Sequence, residues 1–247
     1  MTFGARSTGR MRIRPEDHLV LDHAKLTGED FSGRKLLQLS VAGSRLVGCS
    51  FSKIRARSAS LGEGREMSHY IDCTFDGSRL ALRAGGFARF ERCSFRDVDL
   101  RDWFCFAVEL VDCTFTGRLR KAIFNGTVPA EQRSMAGRIS NDFRGNDFSG
   151  MDLRDVGFRT GIDLTLQRLP TGSQYLYVED ATGAVHRARN AVAHWEDLAL
   201  RREAMVLIEI LESEISEGQR QLLLRKDDYS SFPGEAIDAL FGLLGGG

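Results

Sequence analysis

The chain has 247 residues, room for one elongated domain or two compact ones. It sets 34 Lys+Arg against 34 Asp+Glu, so its overall charge points neither toward nucleic acid nor away from it. With 16 Phe, 26 Gly and only 4 Pro it is rich in packing aromatics and turn residues, which excludes a disordered chain.

The charge is unevenly placed. Residues 1–61 carry 11 basic and 5 acidic side chains, whereas 170–247 carry 7 basic and 13 acidic ones. Such asymmetry suits the steering of partners or head-to-tail ordering of subunits; solvated surface on two unlike segments also accounts for it. The opening Met1-Thr2-Phe3-Gly4-Ala5-Arg6 has no apolar core behind its charge, unlike a secretory signal. No stretch approaches the roughly 18 consecutive apolar residues of a membrane span. A soluble, cytoplasmic protein is expected.

Residues 1–23 read as an N-terminal cap, with Met11 to Leu21 covering one end of a repeating region. From there the chain repeats every five residues. Leu26, Phe31, Leu36, Val41, Leu46, Phe51, Ala56 and Leu61 form one run. Tyr70, Phe75, Leu80, Gly85, Phe90, Phe95, Leu100, Cys105, Leu110 and Phe115 form a second, with Gly85 its weak member. Phe143, Phe148, Leu153 and Phe158 form a third. A period of five fits neither a helix nor a flat strand, so a short extended piece must alternate with a tight turn. Thr27-Gly28, Ser32-Gly33 and Asp76-Gly77 supply turn chemistry. The position two before each large residue is a second inward site, often small, as at Ala24, Ser44 and Ala88; Leu39 and Trp103 depart from that pattern.

A longer period lies over the fives. Cys73-Thr74-Phe75, Cys93-Ser94-Phe95 and Cys113-Thr114-Phe115 recur at intervals of 20, which is four fives. If four units make one coil, the cysteines stack in one column and the phenylalanines in another. Cys49-Ser50-Phe51 precedes them by 24, so a loop is predicted near 62–69. Phe115 to Phe143 spans one coil plus eight, with the excess placed in 118–139, where Pro129 and Gly137 bracket a short helix.

These motifs resemble the pentapeptide-repeat family over 24–164, most clearly in Asn141-Asp142-Phe143-Arg144-Gly145 and the two units after it. The resemblance implies an all-β solenoid, a right-handed quadrilateral β-helix of about six coils. The inward column is expected to hold Cys73, Phe75, Cys93, Phe95, Cys113, Phe115, Phe143, Phe148, Leu153 and Phe158. Residues 165–247 read as a C-terminal appendage: a β-hairpin from 174–178 to 184–186, a helix over 190–217 and a last helix over 234–244. Ile237, Leu240, Phe241 and Leu244 make an apolar stripe on that last helix. The stripe serves either to pack on the rod end or to form a homodimer, as the resemblance suggests.

No cofactor or metal is expected. The cysteines lack the close pairs of zinc sites, the five histidines are scattered, and no catalytic or phosphate-loop motif occurs. A non-catalytic scaffold that binds a protein partner is therefore the leading expectation, with Arg65 and Glu66 in the first loop and the C-terminal stripe as candidate contacts. The resemblance also offers a DNA-mimicking modulator of DNA gyrase, but the 27 basic and 21 acidic residues of 1–169 do not make an acidic rod. Arg34, Lys35, Arg45, Lys53, Arg55 and Arg57 crowd the N-terminal quarter, together with Arg6, Arg10, Arg12 and Arg14. A phosphate-binding face would be the second alternative, although without interleaved aromatics nucleic acid is not the expected partner.

Overall fold

The computed structural model describes residues 8–14, 17–82 and 86–246, the first of these by backbone alone. The Met1–Arg6 opening, the side chains of Arg10, Arg12 and Arg14, and Gly85 lie outside the described residues. Short extended segments closed by tight corners wind this chain into a four-sided β-solenoid of about five turns. Among the described residues thirteen strands share one sheet, and two parallel ladders climb from His18–Thr27. One runs through Arg45–Val47, Ser68–Ile71, Phe87–Glu91, Ala107–Val111 and Phe143–Arg144. The other runs through Lys35–Ala42, Arg55–Glu63, Arg79–Leu82, Ser94–Cys105, Thr114–Asn125 and Asp147–Arg159. Thr8–Arg14 lies antiparallel on His18–Thr27 and covers that end.

The axis is filled by columns of identical or similar side chains. Phe31, Phe51, Phe75, Phe95, Phe115 and Phe148 stack with ring centroids 5.1, 5.0, 4.6, 4.8 and 4.6 Å apart. Each ring removed from water contributes about 1.5–3 kcal/mol, and each stacked pair about 0.5–1.5 more. A second column runs Leu26, Leu46, Tyr70, Phe90, Leu110, Phe143. Leu153 belongs to a third with Leu100 and Leu119, and Phe158 lies against Phe124 at 5.4 Å. Trp103, the oversized residue at a second inward site, sits edge-on to Phe90 at 5.9 Å and to Phe124 at 5.7 Å. Spacing alone puts Phe143 next over Phe115. Phe148 takes that place instead, because the chain needs 33 residues rather than 28 to come round again.

Cys49, Cys73, Cys93 and Cys113 form a column of their own, and each thiol has a hydrogen-bond role. Cys73, Cys93 and Cys113 donate to Leu46 O, Tyr70 O and Phe90 O of the coil below, at 3.4, 3.4 and 3.6 Å. Asn146 continues the pattern onto Leu110 O at 2.8 Å, and Gln167 onto Phe143 O at 2.9 Å. At the corner after this ladder's second column the backbone turns left-handed, at Gly28, Gly48, Asp72, Arg92, Asp112 and Gly145. Gly and Asp recur there because they tolerate positive φ. Gly117 is a stricter case. It sits opposite Val98 where its coil is one residue short, and a Cβ there would lie 2.3 Å from Val98 O.

Both insertions are smaller than the spacing implied. Ser68–Ile71 and Thr114–Asn125 are wall strands, because their alternating burial lets them continue the ladders. The loops shrink to 64–67 and 126–142. The second carries a short helix α1 (Arg133–Ala136) ending on left-handed Gly137, and is tied down by Asn141 Nδ2, which donates to Asn125 O at 2.8 Å and Phe106 O at 3.0 Å. Val128 is buried beneath it beside Phe87 and Ala107.

The C-terminal part has its own core. Its antiparallel pair is present, but Tyr175–Val178 pairs with Leu222–Arg225 and not with 184–186. The latter lie in α2 (Ala181–Val192), because Asp180 accepts from Gly183 N and starts a helix where a hairpin turn was expected. The expected single helix over 190–217 is likewise broken. Asp197 accepts from Ala199 N and Leu200 N, opening α3 (Leu198–Ser216) after a gap at 193–197. The last helix, α4 (Gly234–Gly245), buries Ile237, Leu240 and Leu244 against this core, with Phe241 half-buried beside Tyr229. The stripe is thus consumed within the chain, and the homodimer surface it suggested is not open.

This domain closes the far end of the solenoid by imitating a further coil. The buried Gln219 accepts from Gly161 N and Ile162 N at 3.1 Å and donates to Ile162 O at 2.9 Å. Gln221 accepts from Leu164 N, Tyr175 Oη from Leu153 N and Asp228 from Asp155 N. An open edge with unpaired N–H groups would otherwise invite aggregation.

Two stability changes are expected. Phe95→Ala should cost about 3–5 kcal/mol in chemical denaturation by emptying a site in the ring stack. Gln219→Ala should cost about 1–3 kcal/mol by orphaning the amides of Gly161 and Ile162, and those two amides should lose hydrogen-exchange protection first.

Candidate functional site

The outward residues of one wall form an open trough of about 540 Å³. Strand register dictates its composition. Lys35 faces Arg55, Arg55 faces Arg79, Arg79 faces Asp99, Asp99 faces Arg118 and Arg118 faces Asp152. A parallel row two residues on holds Leu37, Arg57, Ala81, Arg101, Arg120 and Arg154. Coils lie about 4.8 Å apart, so these rows are ladders of cations at strand spacing.

The two ends of the groove differ. Toward the C-terminal domain the cations are neutralised. Arg120 donates to Asp99 at 2.8 Å, Arg118 lies 3.7 Å from Asp152, and Arg154 and Arg225 share Asp152 at 2.7 and 3.7 Å. Toward the N-terminal end, Lys35, Arg55, Arg57 and Arg79 are exposed and form no ion pair among the described residues. Like charges directly opposite on neighbouring strands are destabilising by a few tenths of a kcal/mol. The floor between them is apolar, with Leu36, Ala56 and Leu80 buried and Leu37 44 % exposed. The surface therefore combines an excess of positive charge, with Asp17 and Asp99 as the acids in its lining, and a strip of aliphatic carbon.

The wall carrying Lys25, Arg45, His69, Arg89, Glu109 and Asp142 behaves differently. Arg89 donates to Glu109 at 2.9 Å and to Asp142 at 3.3 Å, and Arg138 from the second loop reaches Glu109 at 3.2 Å. Burial opposes the charge on Arg89, but its hydrogen bonds to these carboxylates outweigh that and hold its pKa above the ordinary arginine value. This network is structural, since it locks the loop to the rod. Burial followed by the nearby Arg45 and Arg89 depresses the pKa of His69.

The residues singled out from the sequence separate into groups. The ten core residues are all buried and fill the rod axis. Arg65 and Glu66 lie exposed on the short first loop, Glu66 3.5 Å from His23, and neither lines the groove. Lys35, Arg55 and Arg57, read only as part of a basic N-terminal quarter, are brought together with Arg79 and Arg101. That ladder is hidden in the linear text because Lys35, Arg55, Arg79, Asp99 and Arg118 are separated by a whole coil each. Applying the 20-residue period to outward positions would have exposed it. The thiols are all buried. Burial drives Cys93 and Cys105 far above the ordinary thiol range, and contact with Cys73, then burial, does the same to Cys49.

A five-residue repeat wound into parallel coils defines the class of fold: the chain is a four-sided parallel β-solenoid built from five-residue units. No protein-family model matches it, and neither does any curated protein. Solved structures similar to it include the following two. One is trypsin-treated QnrB1, a plasmid-mediated fluoroquinolone resistance protein, at 15 % identity over 60 % of this chain and 78 % of that one, with a TM-score of 0.28. The other is HetL from the cyanobacterium Nostoc, a pentapeptide-repeat protein involved in heterocyst differentiation regulation, at 14 % identity over 62 % and 90 %, with a TM-score of 0.18.

The contrast between the two walls is measurable. Arg79→Gln should leave stability within about 0.5 kcal/mol of the parent or raise it, since no partner is lost. Arg89→Ala should cost about 1–3 kcal/mol, because Glu109 and Asp142 each lose a hydrogen-bonded counter-charge and keep only Arg138 and Arg144 respectively. The five cysteines should stay silent to a thiol-specific disulfide reagent in the native protein and react once it is unfolded.

Proposed function

We propose that this protein is a non-catalytic binding scaffold that holds an anionic protein partner along the N-terminal half of its basic groove. One observation carries the reading: Lys35, Arg55 and Arg79 stand in register on one wall with Arg57 beside them, none of the four in an ion pair among the described residues, over an apolar floor. A stiff β-solenoid loses little freedom on binding, so a pre-organised ladder binds more tightly than the same charges on a loop. Carboxylate side chains interleaved with aliphatic ones match both features. Nucleic acid matches only the charge, and the groove has no aromatic lining for bases to stack on.

Fluorescence anisotropy of labelled polyglutamate gives the test. Binding should weaken steeply with added salt. Arg55→Glu with Arg79→Glu should reduce affinity about tenfold or more, equivalent to about 1.4 kcal/mol per decade. Unchanged affinity in that variant, or binding of duplex DNA in strong preference to polyglutamate, would refute the proposal.

A further inference from the structure

Resting on that reading, we infer that the groove's partner is a second copy of this chain, which lays the exposed face of α3 along it. α3 buries Ala204, Leu207, Ile208 and Leu211 in the C-terminal core and turns its opposite face outward. That face carries Val206 and Ile210, 41 % and 45 % exposed, with Leu198 at 67 % exposed at the helix start. Glu203, Glu209 and the C-cap residue Glu217 flank this strip, and none of the three forms an ion pair among the described residues. Their neighbours Glu212 and Glu214 are engaged, with Arg189 and Arg159 respectively. Arg202 is the one base on the face.

The two surfaces match in three respects. Unpaired carboxylates meet unpaired guanidinium groups, in a chain whose N-terminal quarter and C-terminal third carry opposite net charge. An exposed aliphatic strip, Val206 and Ile210, meets the aliphatic floor around Leu37 and Ala56. The spacings agree as well. Glu203 and Glu209 lie about 9 Å apart at helical rise, and Lys35 and Arg79 about 10 Å apart at strand spacing. The contacting surfaces are unlike, so the contact is heterologous: each copy offers one groove and one helix.

Sedimentation velocity of the full chain over a dilution series, at low and high salt, reads this out. Association is expected at low salt and should be lost at high salt. Arg55→Glu with Arg79→Glu removes the groove, and Glu203→Lys with Glu209→Lys removes the helix face. Both pairs are on the surface, and circular dichroism verifies that each variant folds. Each variant alone should be monomeric, whereas their equimolar mixture should associate, because one retains a working helix and the other a working groove. A parent that is monomeric at every concentration, or variants that stay monomeric when mixed, would overturn the inference. Polyglutamate binding separates the two claims. If it persists on a monomeric parent, the groove reading stands and only the self-association fails; if it is absent, both fail.

Discussion

Nearly everything in this molecule rests on the requirement that coils stack in register. Each coil's N–H and C=O groups are satisfied by the coils above and below, and each inward side chain rests on its counterpart one turn away. The ring stack from Phe31 to Phe148 and the thiol column from Cys49 to Cys113 are two expressions of that constraint. Because contacts run only between neighbours, stability accumulates coil by coil and the two ends are the weak points. The ends are treated differently: an antiparallel strand covers one, and a separate α/β domain covers the other.

The far cap shows how a non-repeating sequence can finish a repeating structure. Gln219, Gln221, Tyr175 and Asp228 place side-chain oxygens where the next coil's carbonyls would have been. Inside the rod, Asn146 and Gln167 take over the thiol column's hydrogen bonds, with amides in place of Cys. Amides accept as well as donate, so they suit the last coils, where Cys113 N also needs an acceptor and finds Asn146 at 3.0 Å.

The same register that orders the core also orders the surface. An outward residue is repeated by its neighbours in the ladder, so any bias in residue type becomes a line of charge. On one wall the line is interrupted by acids and closes on itself through Arg89, Glu109 and Asp142. On the groove wall it stays open over Lys35, Arg55, Arg57 and Arg79. The functional reading depends on that difference and not on net charge, which is zero.

Taken by itself, the amino-acid sequence determined the five-residue unit, the coil of twenty and the identity of the core residues. Those depend on local alternation and on a period that the cysteine motifs display openly. Only the tertiary structure decided where a coil loses a single residue, as at Gly117, and where the loop expected in 118–139 begins and ends, because a one-residue change at a corner leaves no mark on the apolar pattern. The same holds for the C-terminal part, where Asp180 and Asp197 act as helix caps and Tyr175–Val178 finds a partner two helices further along the chain, in Leu222–Arg225. The basic ladder was present in the text from the start. It becomes a surface only when winding brings residues a full coil apart to within one strand spacing.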